Sequence, residues 1–458
     1  MGMAPRCFLP RLSILTLLGC SACSQADLQP PPRFSSISFD ELKQGVSRAR
    51  GLTFTQDVGL ETKPAAELQA TLQESFSEKN SDLSGLARVY SRLGLLPEKT
   101  DLAKGLLQLH FWREGVRYDP LKNTIVVPEE PLEPNRAILR APFPDHDLVT
   151  RALVAHALTH ALEEQNFHWQ GRLRYATLDS RLALRAVQEG DATLVWLAQL
   201  IGDPKEKPQQ FVEGLKNIAR SGSRVDSELS DLPELLRQKL AFPYIWGSQF
   251  VMWAYFLKGS DGVNELFSRP PLSTEQVLHP EKYYGKRDDP LQVNPWNLLR
   301  QFGGRIMVDE TLGEFLIQFL LGRTLSVREA AQAAAGWGGD RLLAFEQEGK
   351  PVLVWVTAWD DRKEALEFFS SYRKALEKSH QQSFEPVSGD PEALTMASQS
   401  GQAVFLQIRE NCVFFLDGMS PAASLETAGR LWNDLDIRSE PTGLPLDLAN
   451  RSVPHSKR

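Results

Sequence analysis

The chain has few cysteines, no long apolar run beyond its first residues and no concentrated positive charge. Neither a disulfide framework nor a CxxC metal site can be built from its four cysteines. Cys7 and Cys20 belong to an N-terminal leader, Cys23 to a polar tether, and Cys412 to an apolar strand-like run. Past that leader no stretch reaches the roughly 18 uninterrupted apolar residues that a membrane helix requires. Ala241 to Lys258 comes nearest, but Pro243, Gly247, Ser248 and Gln249 interrupt it, which predicts a core helix. The net charge is −7 and no long basic run occurs, which excludes nucleic acid as a partner. The 42% hydrophobic and 24% charged content is that of a soluble globular protein, and 458 residues leave room for two or three domains.

The N-terminus carries the first positive signal. Arg6 and Arg11 precede a short apolar core, Leu12 to Leu18, and Gly19-Cys20 follows it directly. That core is too short to span a bilayer, so residues 1–19 read as a signal peptide. Leu17-Leu18-Gly19-Cys20 resembles the bacterial lipobox, in which the cysteine is acylated and becomes the mature N-terminus. Cys23 is a weaker acceptor, because Cys20 and not an aliphatic residue stands three places before it. The alternative is a plain secretory signal. Acylation at Cys20 predicts a protein anchored in the cell envelope, in the outer membrane where the organism has one, since Ala22 and not Asp stands second after the cysteine.

Residues 20–36 read as a tether, polar and containing Pro30-Pro-Pro32. From 37 to 330 the pattern is mainly helical, broken by a small hairpin: Val116 to Pro120 and Asn123 to Pro128. A long helix is expected from Leu148 to about Phe167. The character changes after Gly336. Residues 336–435 carry a β-β-α-β-β-α order, with strands at Arg341–Phe345, Pro351–Trp359, Gln402–Arg409 and Cys412–Leu416 and helices at Arg362–Lys378 and Pro421–Leu435. The fold class is therefore α+β: a mostly helical domain with a small edge sheet, then an α+β domain of ferredoxin-like type. Residues 436–458 are expected to be a disordered tail, and no internal repeats are present.

The chemistry concentrates in His156-Ala-Leu-Thr-His160. Two histidines four apart on a helix share one face, so both rings can reach one cation at about 2.0–2.1 Å. Alone the pair is a weak signal, because such spacings arise by chance on many helices.

Its surroundings resemble a group of bacterial gluzincin-like zinc metallopeptidases, many of them secreted or lipoproteins, over roughly Ile37 to Arg328. The matching segments are His156-Ala-Leu-Thr-His-Ala-Leu-Glu-Glu-Gln165, Ala186-Val-Gln-Glu-Gly-Asp-Ala192, Arg269-Pro-Pro-Leu-Ser-Thr-Glu-Gln-Val-Leu-His-Pro-Glu-Lys-Tyr283 and Tyr118-Asp-Pro120. The resemblance implies a mostly helical metallopeptidase-like domain, with His156, His160 and Glu189 as zinc ligands and a fourth position left for water. It places Tyr118 on the edge strand beside the cleft and His279 in a segment lining it, where His279 contacts a bound carbonyl or the loop backbone near Pro270 and Pro271. His168 is an alternative third ligand whose spacing matches no metalloprotease pattern. Glu189 has its own alternative as a solvated helix carboxylate.

The departure from the pattern is Ala157. The family carries Glu there, the general base that takes a proton from metal-bound water. Its loss removes roughly 10²–10⁴ in rate. Glu163 and Glu164 lie a turn beyond His160 and read as structural or as supports for a ligand. Asp179 and Asp191 are further candidates to orient a ligand imidazole. Trp337-Gly-Gly-Asp-Arg341 reads as a packing and turn motif. The expectation is a membrane-anchored pseudopeptidase that binds peptide or protein in the envelope. A slow zinc peptidase and a structural lipoprotein without metal are the alternatives, and the sequence fixes neither partner nor oligomeric state.

Overall fold

Two hydrophobic periods divide the chain, one of about 3.6 residues in its first part and one of two in its last. The computed structural model describes residues 36–79, 83–113, 115–129, 146–169, 171, 177–217, 229–295, 305–347, 349–397 and 401–439. In the first part, α1 (Ser36–Arg50), α2 (Ala65–Lys79), α3 (Leu83–Leu93) and α4 (Leu102–Arg113) precede the two helices that carry the site. α1 buries Phe39, Leu42 and Val46, and α3 buries Gly85, Val89, Tyr90 and Leu93, the three-to-four spacing of amphipathic helices.

α5 (His146–Phe167) is the long helix expected there. α6 (Leu178–Ile201) starts at Thr177, whose side chain accepts from Ser180 N, and ends at Gly202. Leu182, Ala186, Ala192, Val195 and Leu197 point different ways around α6 and are all buried, so α6 is the central helix of this part. α7 (Glu234–Lys258) lies across it, buries Leu236, Phe250, Val251 and Ala254, and is followed by α8 (Ser260–Ser268), α9 (Thr274–Leu278) and α10 (Glu281–Tyr284). No helix among the described residues is long and apolar enough to cross a membrane.

The small sheet contains the expected pair, β2 (Arg117–Asp119) and β3 (Thr124–Pro128), antiparallel with Tyr118 opposite Ile125. A further strand, β1 (Gly59–Lys63), runs parallel to β3 and gives the order β1-β3-β2. Ile125, Val127 and Tyr118 pack on Val154, Ala155, Leu158 and Leu162 of α5, so the sheet seats the helix of the two histidines.

The last part is an antiparallel sheet in the order β5-β6-β7-β11-β10-β9-β8. Its strands are β5 (Ile306–Glu310), β6 (Trp337–Gln347), β7 (Lys350–Trp359), β8 (Glu385–Val387), β9 (Asp390–Ala397), β10 (Ala403–Arg409) and β11 (Cys412–Met419). Its helices are α11 (Gly313–Gly322), α12 (Val327–Ala334), α13 (Arg362–His380) and α14 (Pro421–Asp434). Alternate residues serve alternate faces. Leu353, Trp355, Val413 and Phe415 share a core with Phe368 and Tyr372 of α13, while Val354, Val356, Phe414 and Leu416 share one with Ala428 and Leu431 of α14. Burial on both faces explains why these strands read as near-continuous apolar runs.

The α+β class is as expected, and three finer expectations are corrected. The sheet is not ferredoxin-like: β9, β10 and β11 form a meander that returns to β7 with every neighbour antiparallel, whereas a ferredoxin-like sheet interleaves two βαβ halves. The added strands β8 and β9 begin Glu385-Pro and Asp390-Pro, residues that mask a strand pattern. The sheet also begins before residue 336, since β5 pairs with β6. And the tail starts as structure. β12 (Asp436–Ser439) pairs antiparallel with β4 (Leu291–Asn294), burying Val293 beside Ile437. The remainder of the tail, the expected signal peptide and residues 20–35 of the expected tether lie outside the described residues.

Candidate metal centre

Close packing of small residues brings the site together. Ala186 and Gly190 of α6 face Gly247 of α7. A Cβ on Gly190 would stand 2.4 Å from the Gly247 carbonyl oxygen, and one on Gly247 would stand 2.2 Å from that of Ala186. Only glycine allows so near a crossing. Glu189 is therefore turned toward α5 while Tyr244, one turn before Gly247, reaches the same place.

Three side-chain atoms converge there. His156 Nε2 lies 3.0 Å from Glu189 Oε2 and 3.1 Å from His160 Nε2, and His160 Nε2 lies 3.7 Å from Glu189 Oε2. Metal–ligand bonds of about 2.0–2.1 Å at tetrahedral angles separate donors by about 3.3 Å, so the three edges straddle the value a tetrahedral cation imposes. The hydrogen-bond inventory favours the same reading. His160 Nδ1 is 2.8 Å from Glu163 Oε2, which leaves the His160 Nε2 lone pair pointing inward when the ring is neutral. His156 Nε2 faces that lone pair and a carboxylate at once, and one N–H cannot serve both. A shared cation satisfies all three donors.

The electrostatics follow from burial and from Glu189. Burial lowers the His156 pKa despite the nearby carboxylate. For His160 burial acts the same way, but Glu163 and Glu189 overcome it and push the ring up to about 10. Burial opposes ionisation of Glu189 as well, and its bonds to both histidines still hold its carboxyl well below the usual range. Glu163 is fully buried, which raises its carboxyl against the pull of His160.

The other sequence-predicted residues contribute no atom to that three-atom cluster. Ala157 is 1% exposed and belongs to the apolar cluster between α5 and the small sheet. Tyr118 donates to Asn123 Oδ1 and lies near the Glu164–Gln165 end of α5, past His160. His279 pairs at 2.9 Å with the buried Glu314. His168 stands at the C-terminal end of α5 in a left-handed conformation (φ 50°), its N–H bonded to Glu164 O. Asp191 takes the guanidinium of Arg50 at 2.5 Å, and Asp179 accepts from Thr274 N at 3.1 Å. Neither orients an imidazole, and Glu163 does so for His160. Asp340, in the Trp337 motif, accepts from Leu312 N, Gly313 N and both indole N–H groups of Trp337 and Trp355, so that motif is a packing node built into β6.

Sequence reasoning missed Tyr244. Its ring stacks on His156 with centroids 6.2 Å apart, and burial together with Glu189 raises its phenol well above the ordinary value. A tyrosine inside an apolar helix carries no metal-specific signal. A second acidic group, Glu275, Asp288 and Asp360, gathers around Lys282, whose Nζ lies 2.6, 3.0 and 2.8 Å from them.

A family described as Domain of unknown function (DUF8575) matches residues 300–427, the region of the seven-stranded sheet, and does not extend to α5 or α6. No curated protein and no solved structure matches the chain.

Proposed function

We propose that the protein is a lipid-anchored pseudopeptidase of gluzincin-like type, which holds zinc through His156, His160 and Glu189 and binds peptide or protein in the cell envelope. The convergence of those three donors within 3.7 Å of one another carries the reading. Two neutral imidazoles and one carboxylate are a donor set that suits zinc and leaves one position open. Zinc held by these residues would supply a positive charge able to polarise a bound carbonyl. The chain's own part is to position that charge: Glu163 fixes the His160 ring, Gly190 sets the depth of Glu189, and Tyr244 covers the His156 ring.

Ala157 is what separates binding from cutting. Its methyl group can neither take nor return a proton, which forfeits roughly 10²–10⁴ in rate. Without that base, the residues present can bind a peptide but supply no group to hydrolyse it. The anchor rests on Leu17-Leu18-Gly19-Cys20. A slow peptidase and a metal-free structural lipoprotein are the competing readings, and two measurements separate all three.

The test is metal analysis of purified protein by inductively coupled plasma mass spectrometry, with hydrolysis of unstructured peptides followed on the same sample. One zinc per chain, lost in His156→Ala, with background hydrolysis is the expected result. No zinc in any preparation overturns the metal centre, and zinc-dependent turnover by the unmodified protein overturns the pseudopeptidase. For the anchor, Cys20→Ser moves the protein from the membrane to the soluble fraction. Unchanged membrane recovery overturns acylation at that residue.

A further inference from the structure

Where the end of α3 meets the large sheet, the chain leaves a cleft that shares no residue with the metal centre. Its volume is about 520 Å³, within the roughly 300–1,000 Å³ of small-molecule sites. It lies between α3, α11 and α13, against strands β9, β10 and β11. The buried Leu93, Leu320, Leu376, Met396 and Val404 form its apolar walls. Its mouth is bordered by exposed residues: Glu98 and Arg323, of opposite sign, with Ser379, His380 and Ala397.

One buried group in this cleft has no role in the fold. Tyr372 of α13 is 1% exposed, and its ring packs among Trp355, Phe368 and Phe415. Its hydroxyl has no hydrogen-bond partner among the described residues. A phenylalanine would pack as well without leaving a buried donor unsatisfied, so packing of the ring does not explain the oxygen. Burial, together with the Asp417 carboxylate, raises the phenol well above its ordinary value. The hydroxyl therefore stands near Asp417 without bonding to it, and Asp417 lines the same cleft.

Asp417 is itself shared with Arg92, which also lines the cleft. It accepts from Arg92 Nε and, at 2.8 Å, from Arg92 Nη2. The pair cancels its own charge. It leaves Arg92 Nη1 unbonded among the described residues and the carboxylate with lone pairs to spare. This end of the cleft thus offers two donors, Tyr372 O–H and Arg92 Nη1–H, beside one acceptor, with no net charge. An uncharged group that both accepts and donates satisfies all three. A carboxylate there would face Asp417, and an ammonium would face Arg92.

We infer that this cleft binds a small apolar molecule through an uncharged amide, whose oxygen accepts from Tyr372 and Arg92 and whose N–H donates to Asp417. The leucine, methionine and valine walls take the rest of the molecule. Most of the cleft lies within residues 300–427, the segment that matches the family of unknown function, and α3 completes it. The site therefore needs both parts of the chain, and it stands whether or not the metal centre is filled.

Three probes with one naphthalene body and different heads test this: naphthaleneacetamide, naphthaleneacetate and naphthylethylamine, in equilibrium dialysis against the full-length protein. The amide is expected to bind at one equivalent, and at least about tenfold more tightly than the acid or the amine, whose charged heads would be buried beside a like charge. Tyr372→Phe lowers the amide's affinity about three- to tenfold. It leaves the melting temperature of the free protein equal or higher, because the hydroxyl bonds nothing there. Ala397→Trp, at the mouth, abolishes binding while circular dichroism shows the fold intact. Trp253→Gln, on the exposed outer face of α7, leaves binding unchanged. No saturable binding of the amide overturns the site, and the cleft then holds water only. Acid or amine bound as tightly as the amide overturns the uncharged head. Undiminished binding in Ala397→Trp places the amide elsewhere and overturns the cleft. Equal affinity in Tyr372→Phe, or a fall in its free melting temperature, overturns the part given to the hydroxyl.

Discussion

Gly190 and Gly247 meet backbone to backbone, and that contact sets the depth at which Glu189 enters the site. A methyl group on Gly190 would come 2.4 Å from the Gly247 carbonyl oxygen and 2.8 Å from Val251 Cγ2. The two helices would have to separate, taking Glu189 and Tyr244 away from the histidines.

Gly190→Ala is therefore expected to destabilise the fold by about 1–3 kcal/mol, the usual cost of overpacking, although alanine is the better helix former. Zinc affinity falls with it. Urea unfolding followed by circular dichroism, with a zinc titration of the folded variant, tests both. A variant at least as stable as the parent would show that the crossing has slack.

Glu163 is fully buried and bonds His160 Nδ1 at 2.8 Å. Glu163→Gln keeps the size and loses the charge that holds the ring tautomer. The expected result is a 10- to 100-fold loss of zinc affinity, the usual effect of removing a carboxylate behind a ligand histidine, on the order of 10–100. Competition with a fluorescent chelator measures it. Equal affinities would mean that Glu163 only fills space.

Ala157→Glu supplies the missing base on a helix that accepts glutamate readily. With zinc bound, hydrolysis of unstructured peptides is expected to rise at least about 10²-fold over the parent. Position 157 is 1% exposed, so a lower melting temperature accompanies the gain. A zinc-loaded variant with background hydrolysis would show that the cleft has closed around the alanine.

Asp179 provides the pH test, on α6 ten residues before Glu189. Burial pushes its carboxyl from 3.8 up to about 8, against the bonds from Thr274. Between those values the folded chain holds a proton that the unfolded chain has released. The stability contributed by this group is thus full below about pH 4 and is lost as pH rises through about 8. Asp179→Asn removes that slope, so its melting temperature gains on the parent's as pH rises from 5 to 9. Parallel melting curves would refute the assignment. Gly313, at φ 75°, is a control at the same place: a Cβ there would stand 1.8 Å from Asp179 Oδ1, and Gly313→Ala is destabilising at every pH.

The candidate cluster was legible because its residues obey local rules. His156 and His160 are one turn apart, and Glu189 stands in a short recognisable segment. The structure adds a reason for that segment: Ala186 and Gly190 are small because α7 crosses there. Tyr244 was invisible because its role depends wholly on that crossing, a contact between residues far apart in sequence. The same holds for the sheet. The burial of β6, β7, β10 and β11 on both faces left apolar runs that could be read. β1 and β8 are short and carry charged or proline residues, so pairing, not pattern, defines them. β12 escaped notice because only Ile437 marks it as apolar and its partner β4 lies far upstream.

Lys282 has a consequence for how the molecule responds to chelators. Its ammonium lies within 3.0 Å of Glu275, Asp288 and Asp360, so the second acidic group carries a counter-ion that belongs to the chain itself. EDTA would extract an ion held between His156, His160 and Glu189, but nothing in solution can extract Lys282. The contact it makes between α10 and Asp360, which follows β7, persists in a stripped sample. Chelation is then expected to loosen one end of the protein while the junction between helices and sheet keeps its own melting behaviour, and titration to end at one equivalent of metal.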